Sequence, residues 1–110
     1  MKVRLVKKKT VKKFMLNNAN SRNSFIEWLD KLRNANWENT NDIKETYGAA
    51  DIIGNLSNRI VFNIGGNKYR MICSYHFGRK NVHLFINWIG SHAEYSELCD
   101  DNLQNTINLY

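Results

Sequence analysis

The chain has 110 residues, enough for one small domain with one hydrophobic core, and its 43% hydrophobic and 12% aromatic residues are ordinary for a soluble globular protein. No stretch approaches the roughly 20 apolar residues of a membrane span, and the basic N-terminus lacks the apolar run of a signal peptide. Together with two cysteines that have no repeated spacing, these features predict a cytoplasmic protein with reduced thiols and no membrane association.

The net charge of +6 is unevenly distributed along the chain. No Asp or Glu precedes Glu27, and none lies between Asp51 and Glu94. If the fold brings these two acid-free blocks together, they form one positive surface that attracts phosphate backbones. The alternative for the N-terminal block alone is a lysine-rich helix whose charges are simply solvated.

A strand and a first helix are predicted at the N-terminus. Residues 3–6 are β-compatible, and an N-terminal strand along the sheet is the obvious place for them. Thr10 is placed to cap a helix, which the asparagine-rich residues 17–23 break. The buried stripe of this helix consists of Val11, Phe14 and Met15.

Two further helices are indicated by capping signals and apolar spacing. Ser24 and Glu27 have the spacing of a capping box. An apolar helix face follows it, formed by Phe25, Trp28, Leu29 and Leu32. A shorter helix begins near Asn39 or Thr40, and Gly48 is placed to end it. Residues 49–58 lack periodicity and predict a loop.

The stretch from Arg59 to Tyr95 predicts two hairpins that run into a helix. Apolar and polar residues alternate through residues 59–64 and 68–75, as in half-buried strands. Gly65 and Gly66 supply the positive backbone angles of a two-residue turn, and residues 78–81 suit a four-residue loop.

The register of the second hairpin follows from that loop. If Phe77 faces Val82, then Met71 faces Trp88 and Lys68 faces Ser91. One face of the hairpin is then apolar, and the opposite face collects Lys68 and Arg70 beside Ser91.

Ser91 and Glu94 have the spacing of another capping box, so a helix is predicted to begin at His92. Because residues three apart share a helix face, His92 and Tyr95 project together toward the end of the sheet that carries Lys68 and Arg70. Beyond residue 98 the pattern weakens, and the chain either continues the helix or forms a loosely held tail. Early helices and a late meander predict one α+β domain over residues 1–110.

Several chemistries lack support in the sequence. Gly65 and Gly66 precede a strand rather than a helix, which argues against a nucleotide-binding loop. There is no Gly-x-Ser-x-Gly and no Cys-x-x-Cys motif. His76 and His83 oppose each other in the second hairpin, but two ligands do not complete a zinc site. We therefore expect no metal and no small-molecule cofactor.

Lys68, Arg70, His92 and Tyr95 are the residue types that metal-free RNA cleavage requires. A base takes the proton from a ribose 2′-hydroxyl, a cation stabilises the charge on the phosphate oxygens, and an acid protonates the leaving 5′-oxygen. His92 in the first turn of a helix suits the base, Arg70 can bind a phosphate through two donors, and Lys68 is a second cation. Tyr95 is either the acid or a stacking platform. The alternative is that Lys68 and Arg70 are strand-surface charges and that Tyr95 packs against the sheet end.

Other residues of the two acid-free blocks are candidates for binding RNA. They are Lys8, Lys9, Lys12 and Lys13 in the first block and Arg59, Asn67, Arg79 and Lys80 in the second.

Three groups of residues resemble the HigB family of type II toxin–antitoxin toxins. They are RIVFNIGGNKYR at residues 59–70, GSHAEY at residues 90–95, and Trp37 followed by Asp42-Ile43-Lys44 and Tyr47. The similarity extends from the basic residues 8–14 to residue 98. Ser91 stands where threonine is usual, and Ser96 stands where an aspartate is common.

This resemblance implies a RelE-like α+β toxin that cleaves messenger RNA, typically on the ribosome. It also implies a HigA antitoxin with a helix-turn-helix DNA-binding domain. The residues that match family positions are Asn63, Asn67, Lys68, Tyr69, Arg70, His92, Glu94 and Tyr95. The alternatives are a basic RNA- or ribosome-binding module without catalysis and an inactive toxin that only pairs with an antitoxin.

Overall fold

A computed structural model describes residues 1–53 and 58–110 of the chain. In chain order its elements are β1 (Lys2–Val6), α1 (Lys8–Asn17), a 3₁₀ turn (Ala19–Ser21), α2 (Arg22–Arg33), α3 (Thr40–Thr46), β2 (Asp51–Ile53), β3 (Arg59–Ile64), β4 (Tyr69–Phe77), β5 (Asn81–Ser91) and α4 (His92–Asp100). The strands form one sheet in the order β1-β5-β4-β3-β2. β1 runs parallel to β5 and the other pairs are antiparallel, which confirms the predicted α+β class.

The alternation of side chains gives the sheet two different faces. On the inner face, apolar residues of β3, β4 and β5 pack with the buried side chains of α1, α2 and α3 into the main core. On the outer face, Val61, Ile72 and Trp88 form a smaller cluster with Leu98 of α4. α4 therefore lies on the side of the sheet opposite to the other helices. No helix within the described ranges has the length and apolar content needed to cross a membrane.

Both cysteines are free. Cys73 is fully buried among the core residues of the inner face, as its position in the strand predicted. Burial raises the pKa of its thiol, so the thiolate is disfavoured there.

α1 and α2 begin earlier than the capping signals predicted. Lys7 adopts a left-handed conformation, with a φ of 62°, directly after β1, so α1 starts at Lys8 and Thr10 is not its cap. α2 starts at Arg22 directly after the 3₁₀ turn, which leaves Ser24 inside the helix. Tight connections therefore override both capping signals. The predicted apolar positions do face the core: Val11, Phe25, Trp28 and Leu32 are buried, and Phe14, Met15 and Leu29 are partly buried against it.

α3 is confirmed, and Asn39 caps it. The Asn39 side chain accepts a hydrogen bond from the Asp42 backbone N–H at 3.2 Å, and an Asp42 carboxylate oxygen accepts one from the Asn39 N–H at 3.3 Å. The helix ends at Thr46 with Tyr47 as its C-cap, and Gly48 follows directly without the positive φ of a left-handed glycine cap.

The loop predicted over residues 49–58 is partly wrong, because it contains β2. This strand pairs with β3 along Asp51–Ile53. Three residues are too few for the alternation that identifies a strand in sequence. Residues 54–57, which were also predicted as loop, lie outside the described residues.

The first hairpin has the predicted glycine conformations but a longer turn. Gly65 and Gly66 have φ values of 66° and 67°. Because Ile64 pairs with Tyr69, four residues rather than two connect β3 to β4. The added pair of residues brings Asn67 and Lys68 into the turn.

The second hairpin has the predicted register next to the β4–β5 loop and departs from it at the opposite end of the two strands. Phe77 pairs with Val82 as predicted, but β5 then contains one extra residue, Asn87, opposite the step from Ile72 to Cys73. This bulge puts Asn87 and Trp88, consecutive residues, on the outer face. Beyond it, Met71 pairs with Ile89 and Tyr69 pairs with Ser91, so the predicted Met71–Trp88 and Lys68–Ser91 pairs are wrong.

The residues after α4, 101–110, are called the C-terminal segment. It crosses the outer face at the bulge, where the Asn87 side chain donates to Asn108 at 3.3 Å and the Leu109 backbone N–H donates to the Asn87 carbonyl at 2.9 Å. Ile107 packs against the outer cluster. The middle of the outer face is therefore covered by the chain itself.

Candidate active site

The two motifs KYR and SHAEY meet at one end of the outer face. Tyr69 pairs with Ser91 and Arg70 pairs with Gly90. The backbone N–H of His92 donates a hydrogen bond to the carbonyl of Lys68 at 3.0 Å. Residues 68–70 and 90–92 are therefore direct neighbours, and we call Lys68, Arg70, His92 and Tyr95 the candidate site.

The capping box at Ser91 is formed as predicted, and it fixes the position of His92. Ser91 Oγ accepts a hydrogen bond from the Glu94 N–H at 3.1 Å, and Glu94 Oε1 accepts one from the Ser91 N–H at 2.8 Å. His92 is thus held as the first residue of α4, and its side chain is exposed. Within the described residues its imidazole has neither a hydrogen-bond partner nor an ion-pair partner. This leaves the ring available to a ligand.

Arg70 is held in place by its own hairpin. The side chain is only 7% exposed. Its Nη1 donates to the carbonyls of Tyr69 at 3.0 Å and Gly66 at 3.3 Å, and its Nη2 donates to Asn67 Oδ1 at 3.2 Å. A guanidinium has five N–H donors, so these bonds do not use all of them. Asn67, a predicted RNA-binding residue, here positions Arg70.

Lys68 lies at the end of the turn that precedes β4, with an exposed side chain. It makes no ion pair among the residues described. The hydrogen bond between its carbonyl and the His92 N–H makes the backbones of these two exposed residues direct neighbours.

Tyr95 is half-buried, whereas His92 is exposed. Its ring lies against Trp88, with the ring centroids 6.1 Å apart. Burial raises the pKa of the Tyr95 hydroxyl; Cys99 and Asp51 raise it further, and the charge of Arg70 opposes the shift. The phenol therefore stays protonated at neutral pH, which suits a hydrogen-bond donor.

The contact between Trp88 and Tyr95 depends on a glycine in β5. A Cβ atom at Gly90 would lie 2.5 Å from two atoms of the Trp88 ring and 3.2 Å from Glu94 Oε1. The Trp88 ring thus occupies the space in which a side chain at Gly90 would stand.

Replacing Gly90 with alanine is therefore expected to lower the free energy of unfolding by about 1–3 kcal/mol, the usual cost of overpacking. The Trp88 ring must move away from the strand, which disturbs its contact with Tyr95. Denaturant unfolding measures the change. Gly48→Ala is the matched control, since nothing lies within 4 Å of a Cβ at that position. Equal stabilities of the two variants would contradict this packing.

Arg59, one of the predicted RNA-binding residues, contacts the C-terminal segment. It is only 8% exposed, and its Nη1 donates to the carbonyl of Ile107 at 2.6 Å and to that of Gln104 at 3.4 Å. Arg59 therefore anchors the C-terminal segment to β3, and its role in RNA binding stays a prediction. The sequence placed it on a polar strand face but did not indicate that the chain's own end covers that face.

The other predicted RNA-binding residues do not gather around the candidate site. Arg79 and Lys80 are exposed in the loop from β4 to β5, at the end of these strands far from Lys68. α1 packs on the inner face and carries four exposed lysines: Lys8, Lys9, Lys12 and Lys13. α1 contacts the site end of β4 through Phe14, whose ring centroid is 5.9 Å from that of Tyr69. The lysines of α1 and the pair Arg79 and Lys80 therefore lie on parts of the fold other than the junction of residues 68–70 with 90–92.

Among the described residues, no three His, Cys, Asp or Glu side chains are grouped so that they could hold a metal ion. His76 and His83 pair directly, as predicted, and their ring centroids are 6.3 Å apart.

Two residues near the candidate site were missed by the sequence reading. Trp88 was expected on the apolar face, and Asp51, which acts electrostatically on Tyr95, was expected in a loop. Trp88 and Ile89 are consecutive large apolar residues, but so are Leu84, Phe85 and Ile86 earlier in the strand, so this pattern does not locate the bulge. No signal in the sequence marked Asp51.

The sequence that forms this site matches a known protein family. A family model described as HigB_toxin, RelE-like toxic component of a toxin-antitoxin system, matches residues 21–98. A comparison with curated proteins gave no match. The family match extends from the 3₁₀ turn before α2 into α4 and includes every residue of the candidate site. Because it spans well over half of the chain, this protein belongs to the HigB family of RelE-like toxins, the toxic components of toxin–antitoxin systems.

Proposed function

We propose that this toxin is a ribosome-dependent endoribonuclease that cleaves messenger RNA and thereby inhibits translation. The observation that carries the proposal is that residues 68–70 and 90–92 adjoin, which brings a buried, hydrogen-bonded arginine and a histidine that is exposed and without a partner among the described residues to the same end of the sheet. Membership of a family of RelE-like toxins supports the same activity.

The proposed reaction needs no metal ion. His92 takes the proton of a ribose 2′-hydroxyl, and the 2′-oxygen attacks the adjacent phosphorus. The bond from phosphorus to the 5′-oxygen breaks, and that oxygen receives a proton. The products carry a 2′,3′-cyclic phosphate and a 5′-hydroxyl. Arg70 and Lys68 stabilise the negative charge that develops on the non-bridging oxygens.

The role of Tyr95 follows from its burial. A phenol with a raised pKa is a poorer proton donor, so its half-buried position against Trp88 favours a stacking or hydrogen-bonding role over that of the general acid. Lys68 is then the remaining proton donor in the site for the leaving 5′-oxygen.

Family membership implies an antitoxin partner. We propose that this partner is a HigA-type protein with a helix-turn-helix domain and that it neutralises the toxin. A neighbouring reading frame that encodes such a protein, and its co-purification with this chain, would support the assignment. A neighbouring antitoxin without a helix-turn-helix domain would contradict it.

The reaction is tested with purified toxin and ribosomes that carry a defined messenger. We expect cleavage of the bound messenger, a 2′,3′-cyclic phosphate at the new 3′ end, and no cleavage of the same messenger free in solution. A messenger with one 2′-deoxynucleotide at the cleaved position should stay intact, because the attacking oxygen is missing. Cleavage of that messenger would overturn the mechanism, and toxin bound to an uncut parental messenger would indicate a non-catalytic binding module.

A further inference from the structure

The outer face is not covered along its whole length. α4 and the C-terminal segment lie over the part of β5 from the bulge to the candidate site. Toward the β4–β5 loop, Phe85 leaves 41% of its surface exposed. His76 on the neighbouring strand is also exposed, and His83 is partly exposed.

These three side chains form a row of rings across β4 and β5. Phe85 and His83 are nearly parallel, with centroids 6.4 Å apart and planes at 17°. His83 in turn lies 6.3 Å from His76. A single exposed aromatic residue needs no explanation, but a row of rings on an open sheet face offers flat surfaces for stacking.

Cations surround this row and acids are absent from it. Arg4 is the direct neighbour of His83 in the β1–β5 pairing, and Arg79 and Lys80 are exposed in the adjoining loop. No Asp or Glu occurs in β1 or anywhere between Asp51 and Glu94. Within the described residues none of these three cations makes an ion pair. The row itself is therefore complementary to a polyanion. Glu94 of α4 acts electrostatically on Tyr110, which lies across the adjoining groove.

Phe85 also borders a groove of about 300 Å³ that separates it from the C-terminal segment. Ser74, Asn87, Asn108 and Tyr110 line the groove as well. Ser74 donates to Asn87 and Asn87 donates to Asn108, so the Asn108 amide N–H groups and the Tyr110 hydroxyl are the donors that these bonds leave unused. An aromatic ring beside amide and hydroxyl groups is the combination that holds a nucleobase, because the ring stacks on its face and the polar groups meet its edge.

We propose that this end of the outer face binds the single-stranded messenger RNA that flanks the cleaved nucleotide, with one base stacked on Phe85. The inference rests on the proposed nuclease function and gives it a second RNA contact on the same face as the candidate site. Exposed rings among unpaired cations are how proteins hold single strands without sequence preference. A protein partner is less well matched, because interface cores are depleted of charged residues.

Binding of a 2′-O-methylated oligoribonucleotide, which the toxin is unable to cleave, tests this inference. Fluorescence anisotropy should show binding about tenfold weaker for Phe85→Ala, because one stacked base is lost. Phe85→Tyr should retain the affinity, and Phe85→Leu should not, since a leucine keeps apolar area without a ring. Leu16→Ala is the control, as this side chain is 82% exposed on α1 and should leave binding unchanged.

The charge contribution is measured in the same assay as a function of salt. Arg4→Gln and Lys80→Gln should each reduce the slope of log K against log salt by about 0.7, the expected loss of one phosphate contact on a single strand. Circular dichroism confirms that each variant is folded. His92→Ala should bind the oligonucleotide like the parent but should not cleave messenger. The binding assay therefore tests the RNA surface at Phe85, and the cleavage assay tests the nuclease proposal independently.

Unchanged binding by Phe85→Ala would overturn the inference and leave the nuclease proposal standing. It would also be overturned if Phe85→Ala weakened capture of the antitoxin without affecting RNA, because the surface would then be a protein interface. An effect seen only with ribosomes that carry no messenger would assign the surface to ribosomal RNA and equally contradict the proposal.

Discussion

Replacing His92 with alanine is expected to slow messenger cleavage by about 10²–10⁴-fold, the usual contribution of a general base. The rate is measured in a single turnover at saturating toxin on messenger-bound ribosomes. Because the imidazole is exposed and has no partner among the described residues, its removal should leave the stability of the fold unchanged. The slower cleavage is then due to the missing base and not to a less stable fold.

Glu97→Ala is the control for this variant, since it changes an exposed side chain on the same helix. It should cleave at the parental rate. If His92→Ala also cleaved at the parental rate, His92 would not be the base and the candidate site would lack one.

Arg70→Ala is expected to slow cleavage by about 10²–10³-fold, as when one group that stabilises an oxyanion is removed. It should also lower stability, because the guanidinium is buried and bonds to Gly66, Tyr69 and Asn67. Arg70→Lys should remain strongly defective, since an ammonium keeps the charge but does not reproduce the planar, two-donor contact. Thermal unfolding and single-turnover rates are measured on the same preparations.

Arg59→Ala is the control that distinguishes loss of stability from loss of cleavage when a buried arginine is removed. Arg59 lies on the same outer face and also donates to backbone carbonyls, but it anchors the C-terminal segment and does not belong to the candidate site. We expect this variant to lose stability while its folded fraction cleaves at the parental rate. If Arg59→Ala and Arg70→Ala lost activity in equal proportion to their loss of stability, Arg70 would be a structural residue only.

The candidate site depends on one irregularity in β5. The bulge at Asn87 shifts the register by one residue, so Ser91 lies opposite Tyr69 and His92 reaches the carbonyl of Lys68. The same shift moves Trp88 to the outer face, where it supports Tyr95. A regular strand would have directed Trp88 into the main core, and Tyr95 would have lost this packing partner.

Local signals in the sequence predicted much of this region. The Ser91 capping box predicted the start of α4, and the two glycines predicted the positive φ angles of the first turn. The pairing of Phe77 with Val82 correctly predicted the register of the second hairpin from its loop to the bulge. Each depends on residues that are near one another in sequence or across one turn. The meeting of residues 68–70 with 90–92 followed from these signals to within one residue.

Other features depended on contacts that are distant in sequence. β2 is recognisable only through its pairing with β3, and the burial of Arg59 depends on the C-terminal segment folding back over the sheet. The start of α1 is set by the left-handed turn at Lys7, which no capping signal announced. Tertiary contacts decide the first two features, and the third is a local backbone conformation that the residue types around Lys7 do not indicate.

Mapping the 5′ ends of cellular transcripts after induction tests most directly that the meeting of KYR and SHAEY is an RNA-cleaving site. The parental toxin and His92→Ala are induced to equal protein levels in the absence of antitoxin. We expect new 5′ ends within coding regions for the parent and none above background for the variant. Identical new ends with both proteins, or growth arrest by the parent without any new ends, would contradict the assignment.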